Sequence, residues 1–282
     1  MLREVYLDAL RNREQKVSKV KDACYDDIIS EALSRWVLYN PLSEQCESVG
    51  IDSSWNKRAF QGLSLYVIDA VAVTSKNEIL ATAHDYDISD SARHELLESK
   101  AMMMEAQLAG RILETKKQDV ISTICIDGSI VSRLTNVTME AAKEMVKLYG
   151  KAIFISKSSE SRFQFSKFGS KAGDIYYYSH ATKSAAGFSN PIKTHLHSAD
   201  VYEIYARLRD GAPIVRIEMI GSINERQVKD LLDKLRYHSV IGYPYCLKLA
   251  HNNCKITNDD IDRLASIFNL QLEYGARDAL NE

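Results

Sequence analysis

The sequence predicts an α/β fold in which helices cover a mixed β-sheet, and two patterns lead to this prediction. Apolar, β-branched stretches alternate along the chain with segments whose apolar residues recur at helical intervals. One stretch, Asp119–Asp127, carries Val, Cys and three Ile between its two terminal Asp residues, as is typical of a central strand covered on both faces. The 282 residues are enough to bury a large core, and 12 Gly and 4 Pro are too few for extensive low-complexity disorder.

The N-terminal residues 2–38 are predicted to form one or two helices, because apolar side chains recur there every three or four residues. Pro41 then marks a break. We therefore expect an N-terminal helical arm, residues 1–45, followed by a main domain, residues 46–282. An arm of this kind packs on a second subunit or wraps its own core.

The first half of the main domain has the element order of an RNase H-like core. Three strands that we expect to be antiparallel are followed by helix, strand, helix and strand. In chain order these segments are Ser48–Ser53, Leu63–Thr74, Glu78–Ala83, Ser89–Lys116, Asp119–Asp127, Met139–Leu148 and Ala152–Ser156.

The second half is less regular. Three β-like segments, IYYYSHAT, VYEIYARL and IVRIEMIG, lie between residues 174 and 221. Helices are predicted at Glu225–Arg236, Tyr245–Asn252 and Asp259–Phe268. The predicted fold is therefore an RNase H-like mixed sheet with an N-terminal helical arm and C-terminal helices.

Composition argues against several classes of protein. The five cysteines form no C-x-x-C pair, and Cys246-x4-His251-x2-Cys254 lacks a fourth zinc ligand, so neither a disulfide framework nor a zinc ribbon is expected. No apolar stretch reaches the ~18 residues of a membrane span, and the first residues do not resemble a signal peptide. We therefore expect a cytoplasmic protein. The net charge of −2 still allows a basic groove for nucleic acid.

Two acids follow apolar stretches in similar phrases, Ile51-Asp52-Ser53-Ser54 and Ile126-Asp127-Gly128-Ser129. Each places a carboxylate at the predicted end of a strand, where ligand sites of open α/β sheets collect. The alternative is that each Asp only begins a turn.

Glu105 adds a third carboxylate, on the shoulder of the apolar face of its helix, where burial is costly without a partner or a metal ion. The alternative is a Glu that reaches solvent. Glu98, one helical repeat earlier, competes with it, and Asp69 within the apolar stretch LYVIDAVAV could face solvent or add a fourth acid. Converging carboxylates are the ligands of two-metal nucleases that use Mn²⁺ or Mg²⁺.

Near the C-terminus, the phrase GYPYCLKLAH contains Tyr243 and His251. The imidazole could bind a metal ion or transfer a proton, and the phenol could orient a phosphate or water. A lone His is more often structural, and the same holds for the pair His195 and His197, which we expect to have a surface or polar-core role.

Residues 151–193 carry seven Lys or Arg against two acids. Phe163, Phe165, Phe168 and Tyr176–Tyr178 lie among these charges. Such a segment can bind phosphates and stack bases, or its aromatic residues can belong to the core. We predict phosphate contacts at Lys157, which follows a strand, and also at Arg162 and Lys183.

The ordered set IDSS, the helix acid Glu105, CIDGS and YPYCLKLAH resembles the NurA nuclease family, and FISKS, KSAAGFS and RIE are similar to it as well. The resemblance runs from about residue 45 to 256. It implies an RNase H-like (PIWI-like) core, a homodimer, and Mn²⁺-dependent DNA cleavage as a 5′ to 3′ exonuclease and single-strand endonuclease. It also implies a partnership with HerA, a hexameric ATPase, in resection of DNA ends for recombinational repair.

Carried over to this chain, Asp52, Glu105 and Asp127 match the metal-binding acids, and Tyr243 and His251 match the C-terminal pair, with His251 completing the metal shell. We predict two Mn²⁺ or Mg²⁺ ions. Because the sequence has no G-x-x-x-x-G-K-[ST] loop, any ATP hydrolysis must come from a partner. The alternatives are a non-catalytic adaptor that guides DNA into an ATPase ring and another phosphoryl-transfer enzyme on the same core.

Overall fold

The computed structural model describes residues 2–19, 21, 24–90, 92–115, 121–134, 137–196 and 199–270. Helices and strands alternate through most of these residues. Ten of the described strands join into one large mixed sheet, and two short strands pair separately. In the described part of the chain no helix is long and apolar enough to cross a membrane.

The helices are α1 (Leu2–Arg11), α2 (Arg13–Ser18), α3 (Tyr25–Ser34), α4 (His94–Glu114), α5 (Ile130–Leu134), α6 (Met139–Val146), α7 (Asp174–Ala181), α8 (Glu225–Tyr237), α9 (Tyr245–Cys254) and α10 (Asn258–Ile267). The strands are β1 (Trp36–Leu38), β2 (Glu47–Ala59), β3 (Ser64–Thr74), β4 (Ile79–Ser89), β5 (Ile121–Asp127), β6 (Ile153–Ser156), β7 (Gly187–Ser189), β8 (Ile192–Leu196), β9 (Ala199–Arg207), β10 (Val215–Ile220), β11 (Ser239–Val240) and β12 (Tyr243–Pro244).

The sheet order is β1-β7-β9-β10-β6-β5-β2-β3-β4, with β8 paired to β9. Strands β2, β3 and β4 are antiparallel, whereas β5 runs parallel to β2, and β6 parallel to β5. This order confirms the predicted RNase H-like core, and β10, β9 and β7 extend it at the β6 edge.

Helices cover both faces of the sheet, as the alternation of side chains along β3 shows. Ala70 and Ala72 pack in the cluster that contains α4, whereas Val71 and Val73 pack against α9. Strand β3 is therefore covered on both faces, as was predicted for β5.

Three predictions of local structure are wrong. The segment IYYYSHAT is the helix α7 rather than a strand, because Tyr177 and Tyr178 are buried against α3 and this packing outweighs their β propensity. The N-terminal helices are shorter than predicted, and residues Trp36–Leu38 pair with β7 in the sheet. Strand β2 continues to Ala59, so Asp52 lies within a strand and not at its end.

The predicted domain boundary at residue 45 stays a prediction. Residues on its N-terminal side nevertheless contribute to the main body, since Ile28, Ala32 and Trp36 pack with Tyr177 and Tyr178 in one buried cluster. Residues 116, 119 and 120 of the predicted helix and strand lie outside the described residues.

Candidate active site

Asp52 projects from β2 toward α9. Its carboxylate is 7% exposed, and Oδ2 lies 3.0 Å from Nδ1 of His251. Oδ1 accepts a hydrogen bond of 2.8 Å from the backbone N–H of Ser53. Burial, with the negative charges of Asp127 and Glu105, raises the pKa of Asp52 to about 7. A cation at this position would therefore stabilise the ionised carboxylate.

Helix α9, which carries His251, approaches β2 closely at Gly50. A Cβ on Gly50 would lie 2.4 Å from the backbone of Cys246, so only glycine allows this approach. Cys246 and Leu247 are fully buried, and they fix the first turn of α9 against the sheet. Asp52 lies two residues after Gly50 on β2, so this packing places His251 of α9 beside Asp52.

Asp127 is the last residue of β5, and its carboxylate accepts hydrogen bonds from one hydroxyl and one ammonium group. The Tyr243 hydroxyl donates a hydrogen bond of 2.7 Å to Oδ1, and the Lys157 ammonium donates one of 3.2 Å to Oδ2. The Lys157 ammonium also lies 4.7 Å from the centre of the Tyr243 ring. Burial and the Asp127 charge raise the pKa of Tyr243, so its hydroxyl stays protonated. The hydroxyl therefore acts as a hydrogen-bond donor that orients the Asp127 carboxylate.

Glu105 belongs to α4, which packs against β2, and it is 1% exposed. Oε1 accepts a hydrogen bond from the Ser53 hydroxyl, and Oε2 accepts one of 2.7 Å from Nη1 of Arg133. Burial raises the pKa of Glu105, although Arg133 and Ser53 oppose that shift. Arg133 also donates a hydrogen bond of 3.1 Å to Glu98.

These side chains line one cavity of about 340 Å³, which opens where β2 extends beyond its pairing with β5. The last paired residues are Ile51 and Ile126, so the edge of β2 is uncovered from Asp52 onward. Gly128 follows Asp127 with φ at +99°, a conformation that favours glycine. The cavity is lined by Asp52, Ser53, Ser54, Trp55, Glu98, Glu105, Asp127, Gly128, Arg133 and His251.

Among the residues that the structure describes, one group of side chains has the spacing of a metal site. Ligand atoms of Asp52, Asp127 and His251 all lie within 4.8 Å of one another. Two carboxylate oxygens and an imidazole nitrogen suit Mn²⁺, and the carboxylates also suit Mg²⁺. Glu105 is outside this group, and its Oε1 and Oε2 accept hydrogen bonds from Ser53 and Arg133. The chemistry of the donors therefore fits a divalent ion at the first three residues.

The predicted phosphate contacts separate in space. Lys157 reaches the site through Asp127, whereas Arg162 and Lys183 are exposed and do not line the cavity. The possibility that the aromatic residues stack bases is wrong for Phe165, Tyr177 and Tyr178, which are fully buried in the core. Their packing leaves them no free ring face.

The competing residues take other positions. Glu98 lines the cavity and accepts hydrogen bonds from Arg133 and from Nε1 of Trp55, the latter 3.2 Å long. Asp69 is opposite His84 in the pairing of β3 with β4 and does not line the cavity. His195 lies 2.9 Å from Asp200 at the surface, and His197 lies outside the described residues.

Sequence reasoning missed Ser53, Trp55 and Arg133. Ser53 was visible only as a small residue after Asp52, and its bond to Glu105 depends on the long-range packing of α4 against β2. Arg133 lies six residues after Asp127, on the helix α5 that no pattern predicted. A basic residue six positions after a motif acid is a weak signal that could have pointed to it.

Comparison with known proteins identifies relatives of this chain. A sequence profile described as the NurA domain covers residues 47–256. The DNA double-strand break repair nuclease NurA of Sulfurisphaera tokodaii is 22% identical to the chain, over 96% of each protein. The crystal structure of the NurA nuclease from Sulfolobus solfataricus superposes with a TM-score of 0.79 at 20% identity, and covers 96% of this chain and 98% of that one.

A crystal structure of NurA bound to dAMP and manganese superposes with a TM-score of 0.68 at 12% identity, and covers 98% and 99% of the two chains. At these identities the structures establish a common fold, and the profile extends over most of the chain, including every predicted site residue. The chain belongs to the NurA family.

Proposed function

We propose that this chain is a metal-dependent DNA nuclease. The observation that carries the proposal is the group of Asp52, Asp127 and His251, whose ligand atoms lie within 4.8 Å of one another in an open cavity. The pKa of the buried Asp52 carboxylate is raised to about 7, and a bound metal ion would stabilise its ionised form. Relatives named as nucleases, and a relative bound to dAMP and manganese, support the same function.

Asp52, Asp127 and His251 would hold the ion. When bound, it would supply Lewis-acid stabilisation of the phosphodiester and lower the pKa of attacking water. Tyr243 orients Asp127 by donating to Oδ1 and leaves the other oxygen to Lys157. Lys157 is 48% exposed, so it can leave Asp127 for a substrate phosphate when a metal ion takes its place.

The predictions that Glu105 coordinates an ion and that two ions are held stay predictions. Glu105 is nevertheless part of the proposed centre, because its charge acts on Asp52 and its carboxylate lines the same cavity. We also propose that Arg162 and Lys183 contact DNA phosphates away from the reacting atoms.

The proposed substrate is DNA, cleaved as a 5′ to 3′ exonuclease and single-strand endonuclease in the cytoplasm. We propose that the chain acts as a homodimer with a HerA-type ATPase during end resection. Membership of the NurA family and the absence of a nucleotide-binding loop in the sequence support this assignment.

The test is cleavage of end-labelled single- and double-stranded DNA with Mn²⁺, Mg²⁺ or EDTA. We expect metal-dependent products that disappear in Asp127→Asn and persist in the control Asp200→Asn, which removes an acid from a surface ion pair. If the wild type gives no products even with the ATPase added, the proposal is overturned in favour of a DNA-guiding adaptor.

A further inference from the structure

Arg133 is the most enclosed cation of the site. Its side chain is 14% exposed and contacts two elements. On α4 it reaches Glu105 at 2.7 Å and Glu98 at 3.1 Å, and at the end of β5 it reaches the backbone carbonyl of Asp127 at 3.4 Å. The guanidinium thereby faces the cavity that contains Asp52 and His251. A planar group with several fixed donors is suited to this bridging role.

The other counter-ions of the site are far more exposed. The side chain of His251 is 54% exposed and that of Lys157 is 48% exposed, and each makes one contact with its acid. Water can replace the Lys157 contact at little cost, so a metal ion can displace this ammonium from Asp127, whereas the exposed imidazole of His251 is available as a ligand. Displacing Arg133 would instead leave a buried guanidinium without its partner, which is strongly unfavourable.

Glu105 has no oxygen that lacks a partner. Ser53 holds Oε1 and Arg133 holds Oε2, and the residue is 1% exposed. A divalent ion on Glu105 would also lie within a few ångströms of the guanidinium, in an environment that screens their repulsion poorly. Thus the Glu105 side of the cavity already contains its cation.

We propose that Arg133 supplies the second positive charge of this centre, and that the centre holds a single divalent ion at Asp52, Asp127 and His251. This inference rests on the proposed function. In the two-ion arrangement that the sequence predicts, one ion activates water and the other stabilises the leaving oxygen. Here the guanidinium faces the cavity in place of one of these ions and stabilises charge on the phosphoryl group, a role that arginine fills in other phosphoryl-transfer sites.

The test counts bound ions without DNA. Isothermal titration and electron paramagnetic resonance of the full-length protein with Mn²⁺ are expected to give one ion per chain and no signal from coupled ions. Two ions per chain, or a coupled spectrum, would overturn the inference and leave the nuclease proposal intact. No bound ion would overturn both.

Variants sharpen the count. In Arg133→Gln the Glu105 carboxylate is released, so a second, weaker ion is expected at raised Mn²⁺, whereas Arg133→Lys should still bind one. The control Arg35→Gln removes a partly buried arginine that pairs with Glu31 remote from the site, and it should also bind one. If Arg133→Gln fails to fold, the wild-type count still decides; if it folds and binds a single ion at every concentration, Arg133 does not block a second one.

Discussion

Two groups of carboxylates lie near the same end of β5, and they differ in the side chains that neutralise them. Glu203 and Glu218 share the guanidinium of Arg216, at 2.5 and 2.6 Å, and none of the three residues is more than 5% exposed. Ser129 adds hydrogen bonds to both Glu218 and Arg216. This group is closed, because each charge has a buried partner that water cannot replace.

The second group is open. Asp52 is buried and the Asp127 side chain is 17% exposed, but their partners His251 and Lys157 are about half exposed. Burial of acids therefore does not identify a metal site by itself. What distinguishes the two groups is whether the counter-ion can leave, and by that criterion Glu105, held by Arg133, belongs with the closed group.

The largest effect is expected when the open group loses a ligand. Asp52→Ala should reduce DNA cleavage by at least about a thousandfold, because metal assistance contributes several kcal/mol and each 1.36 kcal/mol is tenfold in rate. The protein should remain folded, since the change removes a carboxylate that repels Asp127 and Glu105. Full activity in a folded variant, checked by circular dichroism and end-labelled DNA, would contradict the assignment.

The closed group should respond in stability rather than in metal binding. Arg216→Met leaves Glu203 and Glu218 without their cation, so the free energy of unfolding should fall by about 3–5 kcal/mol. The Mn²⁺ affinity of the folded fraction should stay within about twofold of the wild type. Urea denaturation and Mn²⁺ titration measure the two quantities. A large loss of Mn²⁺ affinity with normal stability would erase the distinction between the groups.

Asp174 is another buried acid, and from its pKa we predict how the stability of the protein depends on pH. It is fully buried, and burial raises its pKa from 3.8 to about 6. The folded state therefore binds a proton that the unfolded state releases, and the stabilisation present below pH 4 is lost as the pH rises through 6. With 1.36 kcal/mol per pKa unit, the loss is about 3 kcal/mol.

Asp174→Asn should abolish this part of the pH dependence. The difference in unfolding free energy between wild type and variant, measured by urea denaturation from pH 4 to 7, should change by about 3 kcal/mol in favour of the variant. A difference that stays constant with pH would show that Asp174 titrates normally.

The open group predicts a pH dependence of metal binding. Because the pKa of Asp52 is raised to about 7, the carboxylate is protonated at lower pH and an ion must displace the proton. The Mn²⁺ affinity should therefore rise roughly tenfold between pH 6 and 8 and level off above that range. Titration calorimetry in two buffers would also detect the released proton, and a flat profile would contradict the shift.

The smallest effect is expected at an exposed counter-ion. Lys157→Met removes a cation that competes for Asp127, so the Mn²⁺ affinity should rise by about two- to fivefold, the range of exposed ion pairs. DNA binding should weaken at the same time and depend less on salt. Lys167→Met, which removes an exposed lysine near Glu31, is the control and should change neither quantity. A loss of Mn²⁺ affinity in Lys157→Met would show that the lysine organises the site instead of competing with the ion.

The sequence predicted the parts of the site that are carried by short local phrases. Asp127 ends an apolar strand, as expected, and the C-terminal phrase contains Tyr243 on β12 and His251 on α9, the helix that packs against β2. The order of strands and helices in the core also follows from local periodicity. Each of these features is determined by residues close together in the chain.

The remaining features depend on contacts between distant segments. Arg133 meets Glu105 28 residues earlier, and Arg216 meets Ser129 87 residues earlier, so no local pattern predicts either pair. Helix α7 looks like a strand because its aromatic residues have high β propensity, and only the core formed with α3 makes it a helix. The open and the closed group likewise cannot be distinguished without knowing how exposed the partners of their acids are.

The central claim is that the ion binds at the open group. Anomalous diffraction from crystals soaked with Mn²⁺ measures the position directly. We predict an anomalous peak coordinated by Asp52, Asp127 and His251. A peak at Glu203 and Glu218, or the absence of any peak between the three predicted ligands at saturating Mn²⁺, would contradict it.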